Sequence, residues 1–182
     1  LSTFASLPEV DVKYVCDIDE SVLAARVAGV EKQTGRKPQA IKDYRTALDD
    51  KLLDALVIGT PDHWHALPTI HACQAGKDVY VEKPLSHSQW EGDQTVKAAR
   101  KYNRICQVGT QQRSDPMQAE IKKFLHQDKA LGKIISCRVN RVGVHEPIGK
   151  GSEQIQIEKD LHYDLWLGPA QDKTIFRDKL QY

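Results

Sequence analysis

The chain has 182 residues, of which 40% are hydrophobic and 28% charged, and its 26 basic and 25 acidic side chains leave a net charge of +1. This composition excludes a disordered tail or a fibre, and the interspersed charge gives no footprint for DNA, RNA or anionic lipid. Unbroken apolar runs are short, such as Ala55–Ile58, whereas a membrane span needs ~20 apolar residues, so no span is predicted.

A domain takes ~100–150 residues, so the length allows one large domain or one and a half. The first residue is Leu1, not Met, which leaves open that the chain is a piece of something longer. The cysteines, Cys16, Cys73, Cys106 and Cys137, form no CxxC pair. Zinc and disulfide frameworks are therefore set aside. Three of the four lie in strand-like apolar runs, which predicts buried free thiols.

Val10–Val15 is a β-branched run with period 2, predicting a strand that ends near Asp17. A helix follows from Asp19 as N-cap to about Thr34. Leu23, Val27 and Val30 share one face, and Gly35 is the stop. Tyr44–Leu48 fits a short helical turn. Ala55–Ile58 is apolar at every position, as a parallel strand buried on both faces should be. A helix is predicted from about Asp62 to Gly76, then a strand over Asp78–Glu82. Ser88-Gln89-Trp90-Glu91 is a capping box that opens a helix to about Tyr102. Ile105–Val108 is the next strand. Asp115-Pro116 starts a further helix with Met117, Ile121, Phe124 and Leu125 on its buried face, ended by Gly132. Ile134–Val142 then alternates as a longer, more polar strand. Ile135, Cys137 and Val139 lie on one face and Ser136, Arg138 and Asn140 on the other, as in an antiparallel sheet with one wetter side.

Strands and helices alternate up to about Gln112, which predicts an α/β Rossmann-type doubly wound parallel sheet. The change of texture after Gly132 predicts the start of a second domain with an open, largely antiparallel sheet. The boundary is placed near Gln112, giving units 1–112 and 113–182.

In open parallel sheets, ligands bind outside the carboxyl ends of the strands. The residues there are Asp17, Thr60-Pro61-Asp62, Glu82-Lys83-Pro84 and Gly109-Thr110-Gln111. Asp17 is placed to accept hydrogen bonds from the adenosine ribose hydroxyls of a dinucleotide, and a loop or N-cap aspartate is the competing reading. Ile18 follows it, with no adjacent Arg for a 2′-phosphate, which favours NAD over NADP. No G-x-G-x-x-G precedes Asp17. Either this is not a nucleotide domain, or its first βα unit lies outside this chain. Thr60-Pro61-Asp62-His63-Trp64-His65 links a strand to a helix start, where unpaired N–H groups favour an anionic or polar ligand. The alternative is a capping turn with Trp64 packed beneath it. The H-x-H spacing alone makes no metal site, because no Cys or acidic cluster completes one. Lys83, at the end of a strand with a partly desolvated stem, is suited to acid–base work. A snorkelling surface lysine is the plainer reading.

Asp62-His63-Trp64-His65, then Val79-Tyr80-Val81-Glu82-Lys83-Pro84-Leu85, then Val108-Gly109-Thr110-Gln111-Gln112-Arg113 resemble the glucose–fructose oxidoreductase / inositol dehydrogenase / rhizopine catabolism (Gfo/Idh/MocA) family. Tyr163-Asp164-Leu165-Trp166-Leu167-Gly168-Pro169-Ala170 resembles a stretch of its sugar-processing branch. The resemblance implies a Rossmann domain binding NAD(P), and an α/β substrate domain whose sheet often mediates homo-oligomers. It also implies hydride transfer between nicotinamide and a sugar or cyclitol carbon. Lys83 matches the lysine that takes part in proton transfer at the reacting hydroxyl, and Asp17 matches the ribose-binding acid. Thr60, Asp62, His63, Trp64 and His65 match the segment passing the nicotinamide ribose. Glu82 and Gln111 match further cofactor-lining positions. The family's glycine fingerprint and its later Asp/His pair have no counterpart in this chain; His145 and His162 lie before that pair's segment. Competing readings are a glycosidase using transient NAD redox, a non-enzymatic binding relative, and an inactive fragment with an unpaired sheet edge. The implied compartment is the cytoplasm, or the periplasm if an export signal precedes Leu1.

Overall fold

The computed structural model describes residues 1–140, 143 and 153–176. A short helix α1 (Ser2–Ala5) precedes β1 (Tyr14–Cys16), α2 (Glu20–Thr34), β2 (Gln39–Ile41), α3 (Arg45–Leu48) and β3 (Ala55–Ile58). A 3₁₀ turn Asp62–Trp64 leads into α4 (Ala66–Gln74), followed by β4 (Asp78–Glu82), α5 (Gln89–Lys101) and β5 (Cys106–Gly109). A second 3₁₀ turn Gln111–Ser114, α6 (Pro116–Lys122), a π-helical stretch Lys123–Gln127 and α7 (Tyr163–Leu167) complete the described elements. Among the described residues no helix is long and apolar enough to cross a membrane.

Local backbone chemistry explains the helix limits. The Asp19 carboxylate accepts from the N–H groups of Ser21 and Val22, and Gly35 closes α2 at φ +72. Ser88 and Glu91 form the reciprocal capping box of α5. Asp115 caps α6, with Pro116 in its first turn.

Every described strand pair is parallel, and one isolated antiparallel bridge joins Asp19 to Leu161. Tyr14, Val15 and Cys16 stand opposite Gln39, Ala40 and Ile41. Ala55–Ile58 pairs with Asp78–Val81, and Val79–Glu82 pairs with Cys106–Gly109. The strands fall into two sheets, β2-β1 and β3-β4-β5. In the doubly wound order 3-2-1-4-5-6, one strand position separates these groups. Each sheet has its own core. Val15, Leu23, Val27 and Val30 form one, while Leu48, Ile58, Ala72, Cys73, Val79, Val81 and Ala98 form the other.

Several sequence expectations need correction. The first strand starts at Tyr14 and not Val10, because its partner β2 supplies only Gln39–Ile41. That edge strand was not predicted: three residues after a proline carry no periodic signal. β3 is not buried on both faces, since Ala55 is exposed and Val57 is 44% exposed. The described residues place α4 and α5 on one side only, and the other receives little beyond Phe4, packed edge-on against Tyr80. Met117, Ile121 and Phe124 are exposed, not buried. Residues 134–140 form no strand, and Ile135 and Val139 are almost fully exposed, because no described strand offers them a ladder. Arg141, Val142 and His145 lie outside the described residues. Of the cysteines, Cys73 is buried and Cys106 half-buried, whereas Cys16 and Cys137 are exposed.

Candidate functional site at the strand ends

β1, β3, β4 and β5 deliver the predicted residues to their carboxyl ends. Asp17 follows β1 directly and is half-buried. Its N–H donates to the Ile41 carbonyl, and its Oδ1 accepts from the Asp19 N–H at 3.0 Å. The helix cap is Asp19, so Asp17 is free of the capping role that competed with ligand binding.

Glu82 and Gln111 come together. Gln111 Nε2 donates to Glu82 Oε1 at 2.5 Å and to the Tyr80 hydroxyl at 3.1 Å, and the Lys83 N–H lies 3.3 Å from Glu82 Oε2. Tyr80 was not predicted at this site. The period-2 alternation of a strand puts it on the same face as Glu82, a signal the sequence carries. A Cβ on Gly109 would stand 2.8 Å from the Tyr80 hydroxyl and 3.0 Å from both Gln111 Nε2 and Glu82 Oε1, so glycine makes room for the cluster. Lys83 itself is exposed, and so the desolvated stem expected from its strand-end position is not found. Thr60 and Asp62 are exposed on the neighbouring turn.

His63 and Trp64 turn toward the 163–168 segment. His63 Nε2 donates to the Trp166 carbonyl at 2.9 Å, and Trp64 Nε1 donates to the same oxygen at 3.2 Å. Gly168 passes so close to the Trp64 ring that a Cβ would fall 2.1 Å from it, with φ +52 besides. Trp166 and Gly168 are thus contributors that the strand-end argument missed. Their sequence signal was the family resemblance of Tyr163–Ala170, which contains both residues. The same segment reaches β1: His162 N–H donates to the Ile18 carbonyl, Glu20 N–H to Asp160, and His162 and Lys42 both meet the Glu20 carboxylate. Hydrogen bonds from these partners, Lys42 first and then His162, hold the Glu20 carboxyl below its ordinary range. A cleft of about 450 Å³ opens between this segment and the strand ends, lined by His63, His87, Glu91, Tyr163 and Trp166 among others, while Lys83 and Asp17 stand outside it.

His65 does not fit the expected ligand-lining role. It is 1% exposed, and both ring nitrogens are engaged by backbone carbonyls, leaving no ring nitrogen free for a cofactor. Among the described residues no group of three His, Cys, Asp or Glu side chains is placed to hold a metal ion.

Residues 4–110 match the model of an oxidoreductase family described by its NAD-binding Rossmann fold. The chain is 34% identical over 115 residues to levoglucosan dehydrogenase of Pseudarthrobacter phenanthrenivorans, a match covering 63% of the chain and 27% of that protein. It is 35% identical over 99 residues to scyllo-inositol 2-dehydrogenase (NAD(+)) of Bacillus subtilis, covering 54% and 27%. The crystal structure of myo-inositol 2-dehydrogenase from Lactobacillus plantarum superposes with a TM-score of 0.61 at 27% identity, over 72% of this chain and 38% of that one. The chain therefore spans about a quarter of the length of these curated relatives.

Proposed function

Since the chain belongs to the Gfo/Idh/MocA oxidoreductase family, with its NAD-binding Rossmann fold, we propose that the protein transfers a hydride between a nicotinamide dinucleotide and a hydroxyl-bearing carbon of a sugar or cyclitol. The observation that carries this reading is the convergence at the strand ends. Asp17, the Glu82–Gln111–Tyr80 cluster and Lys83 all stand where ligands of doubly wound sheets lie.

The residues present fit the nucleoside parts of the cofactor. Asp17, with one oxygen taken by the Asp19 N–H, has the other for the ribose hydroxyls. Thr60, Asp62, His63 and Trp64, with Glu82 and Gln111, would hold the nicotinamide ribose. Bound nicotinamide supplies the hydride-accepting carbon. Lys83 then holds or takes the hydroxyl proton of the substrate, and its exposure leaves the amine free to reach it. NAD is preferred to NADP, because Asp17 would repel a 2′-phosphate and Ile18 offers it no cation. Residues 1–112 act as the nucleotide unit and 113–182 begin the substrate unit, which carries homo-oligomer contacts.

The test uses the protein from its complete reading frame, a panel of sugars and cyclitols, and NADH absorbance. Lys83→Ala lowers turnover by ~10²–10⁴ while NAD affinity is retained. Undiminished turnover would overturn the assignment.

A further inference from the structure

His65 is a polar ring in a site where it can touch no ligand. The last paired residues of β3 and β4 are Ile58 and Val81. Beyond them the ladder ends, and the His65 ring lies between the Thr60 and Pro84 carbonyls. Its Nε2 lies 2.8 Å from the Thr60 carbonyl and its Nδ1 2.5 Å from the Pro84 carbonyl. The ring is held in turn by its own backbone. The His65 carbonyl accepts from Thr69 Oγ1 at 2.8 Å, and Thr69 is fully buried in α4. Thr60 and Pro84 offer only acceptors here, so the ring can engage them only as an N–H donor, and the tautomer decides which carbonyl receives the N–H of a neutral imidazole. Lys83 precedes Pro84 directly. Fixing the Pro84 carbonyl therefore fixes the backbone from which the lysine side chain starts.

We propose that His65 is a positioning residue for Lys83, a buried strut that sets the Lys83-Pro84 backbone against the end of β3. This rests on the hydride-transfer reading above. It assigns His65 no contact with nucleotide or substrate. It differs from simple core filling because a buried apolar ring would have no N–H to donate to either carbonyl.

The experiment compares His65→Gln and His65→Leu in the complete protein, alone and combined with Lys83→Ala. Leucine is expected to cut kcat ~10–100-fold, the cost of a misplaced reacting group, with the NAD dissociation constant within about threefold of the parent. Glutamine keeps one donor and recovers part of the loss. In the Lys83→Ala background the same leucine change is expected to cost under about threefold, because no lysine is left to position. Losses that multiply across the double variant, or NAD affinity that falls as far as kcat, would overturn the proposal. If leucine prevents folding, the glutamine pair decides it alone. A second readout needs no turnover. A slowly exchanging imidazole N–H of His65 is expected in ¹⁵N spectra of the parent and absent in His65→Gln, with the Lys83 amide shifted and that of Asp17 unmoved. A parent that oxidises no sugar or cyclitol removes the functional reading, whereas a His65 ring without such an N–H removes the strut.

Discussion

The apolar side chains of the first 110 residues and of those that follow meet different fates. In the first region Leu23, Val27 and Val30 of α2 close on β1, and Ile58, Val79 and Val81 close on α4 and α5. In the second, Met117, Ile121, Phe124, Ile135 and Val139 have the same periodicity and remain in water. Periodicity says which face of an element is apolar; it does not supply the surface that buries it. Among the described residues of the second region, the 160–168 stretch is hydrogen-bonded to the first. It meets that region through the Trp166 carbonyl, the close approach of Gly168 to Trp64 and the buried Leu161.

The sharpest contrast lies between two isoleucines. Ile58→Ala, at 2% exposure in the middle of a core, should cost about 2–5 kcal/mol in urea unfolding. Ile135→Ala, at 91% exposure, should change the same midpoint by less than about 0.5 kcal/mol. Equal effects would mean that the second region is buried in solution. The docking stretch comes next. Gly168→Ala introduces a clash with Trp64 at a left-handed backbone position, worth about 1–3 kcal/mol, and should release the stretch. A red shift of Trp fluorescence with an unchanged urea midpoint for the first region is the outcome expected. A helix-end variant within the first region is smaller. Ser88→Ala removes one half of the capping box and should cost about 0.5–2 kcal/mol. The last test is pH. Asp50 is pulled down to about 2 by its hydrogen bond from Lys13, then by those from the Leu52 N–H and the Tyr14 hydroxyl. A depressed carboxylate stabilises the fold above its unfolded value near 4, and that contribution fades as pH falls toward 2. Asp50→Asn should flatten this part of an acid-unfolding curve and lower stability by a constant amount above pH 5.

What was legible in the sequence is what depends on neighbours in the chain. Asp19 and Gly35 bracket α2, Ser88 and Glu91 open α5, and Asp78–Glu82 is the strand it was predicted to be. Each of these follows from hydrogen bonds or alternation within a few residues. The strand-end placement of Asp17, Glu82, Lys83 and Gln111 was legible for the same reason, because it needs only strand limits. What escaped depends on distant partners. β2 exists through pairing with β1, the Trp166 carbonyl meets His63 across about a hundred residues of chain, and His65 is withdrawn from the surface by two carbonyls of other loops. The exposure of Lys83 belongs here too. It is decided by what covers the end of β4, not by the strand itself.

The division of strands into two sheets makes a seam through the first 110 residues, and the seam is pinned at its two ends. At the amino ends of the strands, Asp50 receives Lys13 and Tyr14 from the β1 side through its carboxylate, and its carbonyl receives Lys77, just before β4, at 2.6 Å. At the carboxyl ends, the 160–168 stretch is bonded to Ile18 and Glu20 on one side and to His63 and Trp64 on the other. Between these pins the facing edges of β1 and β3 share no described hydrogen bond. In the 182-residue chain, amides on those edges should exchange with solvent faster than those of β4, which is bonded on both sides. A molecule laid across the carboxyl ends would act as a third fastening, coupling its own affinity to how firmly the two leaves are held together.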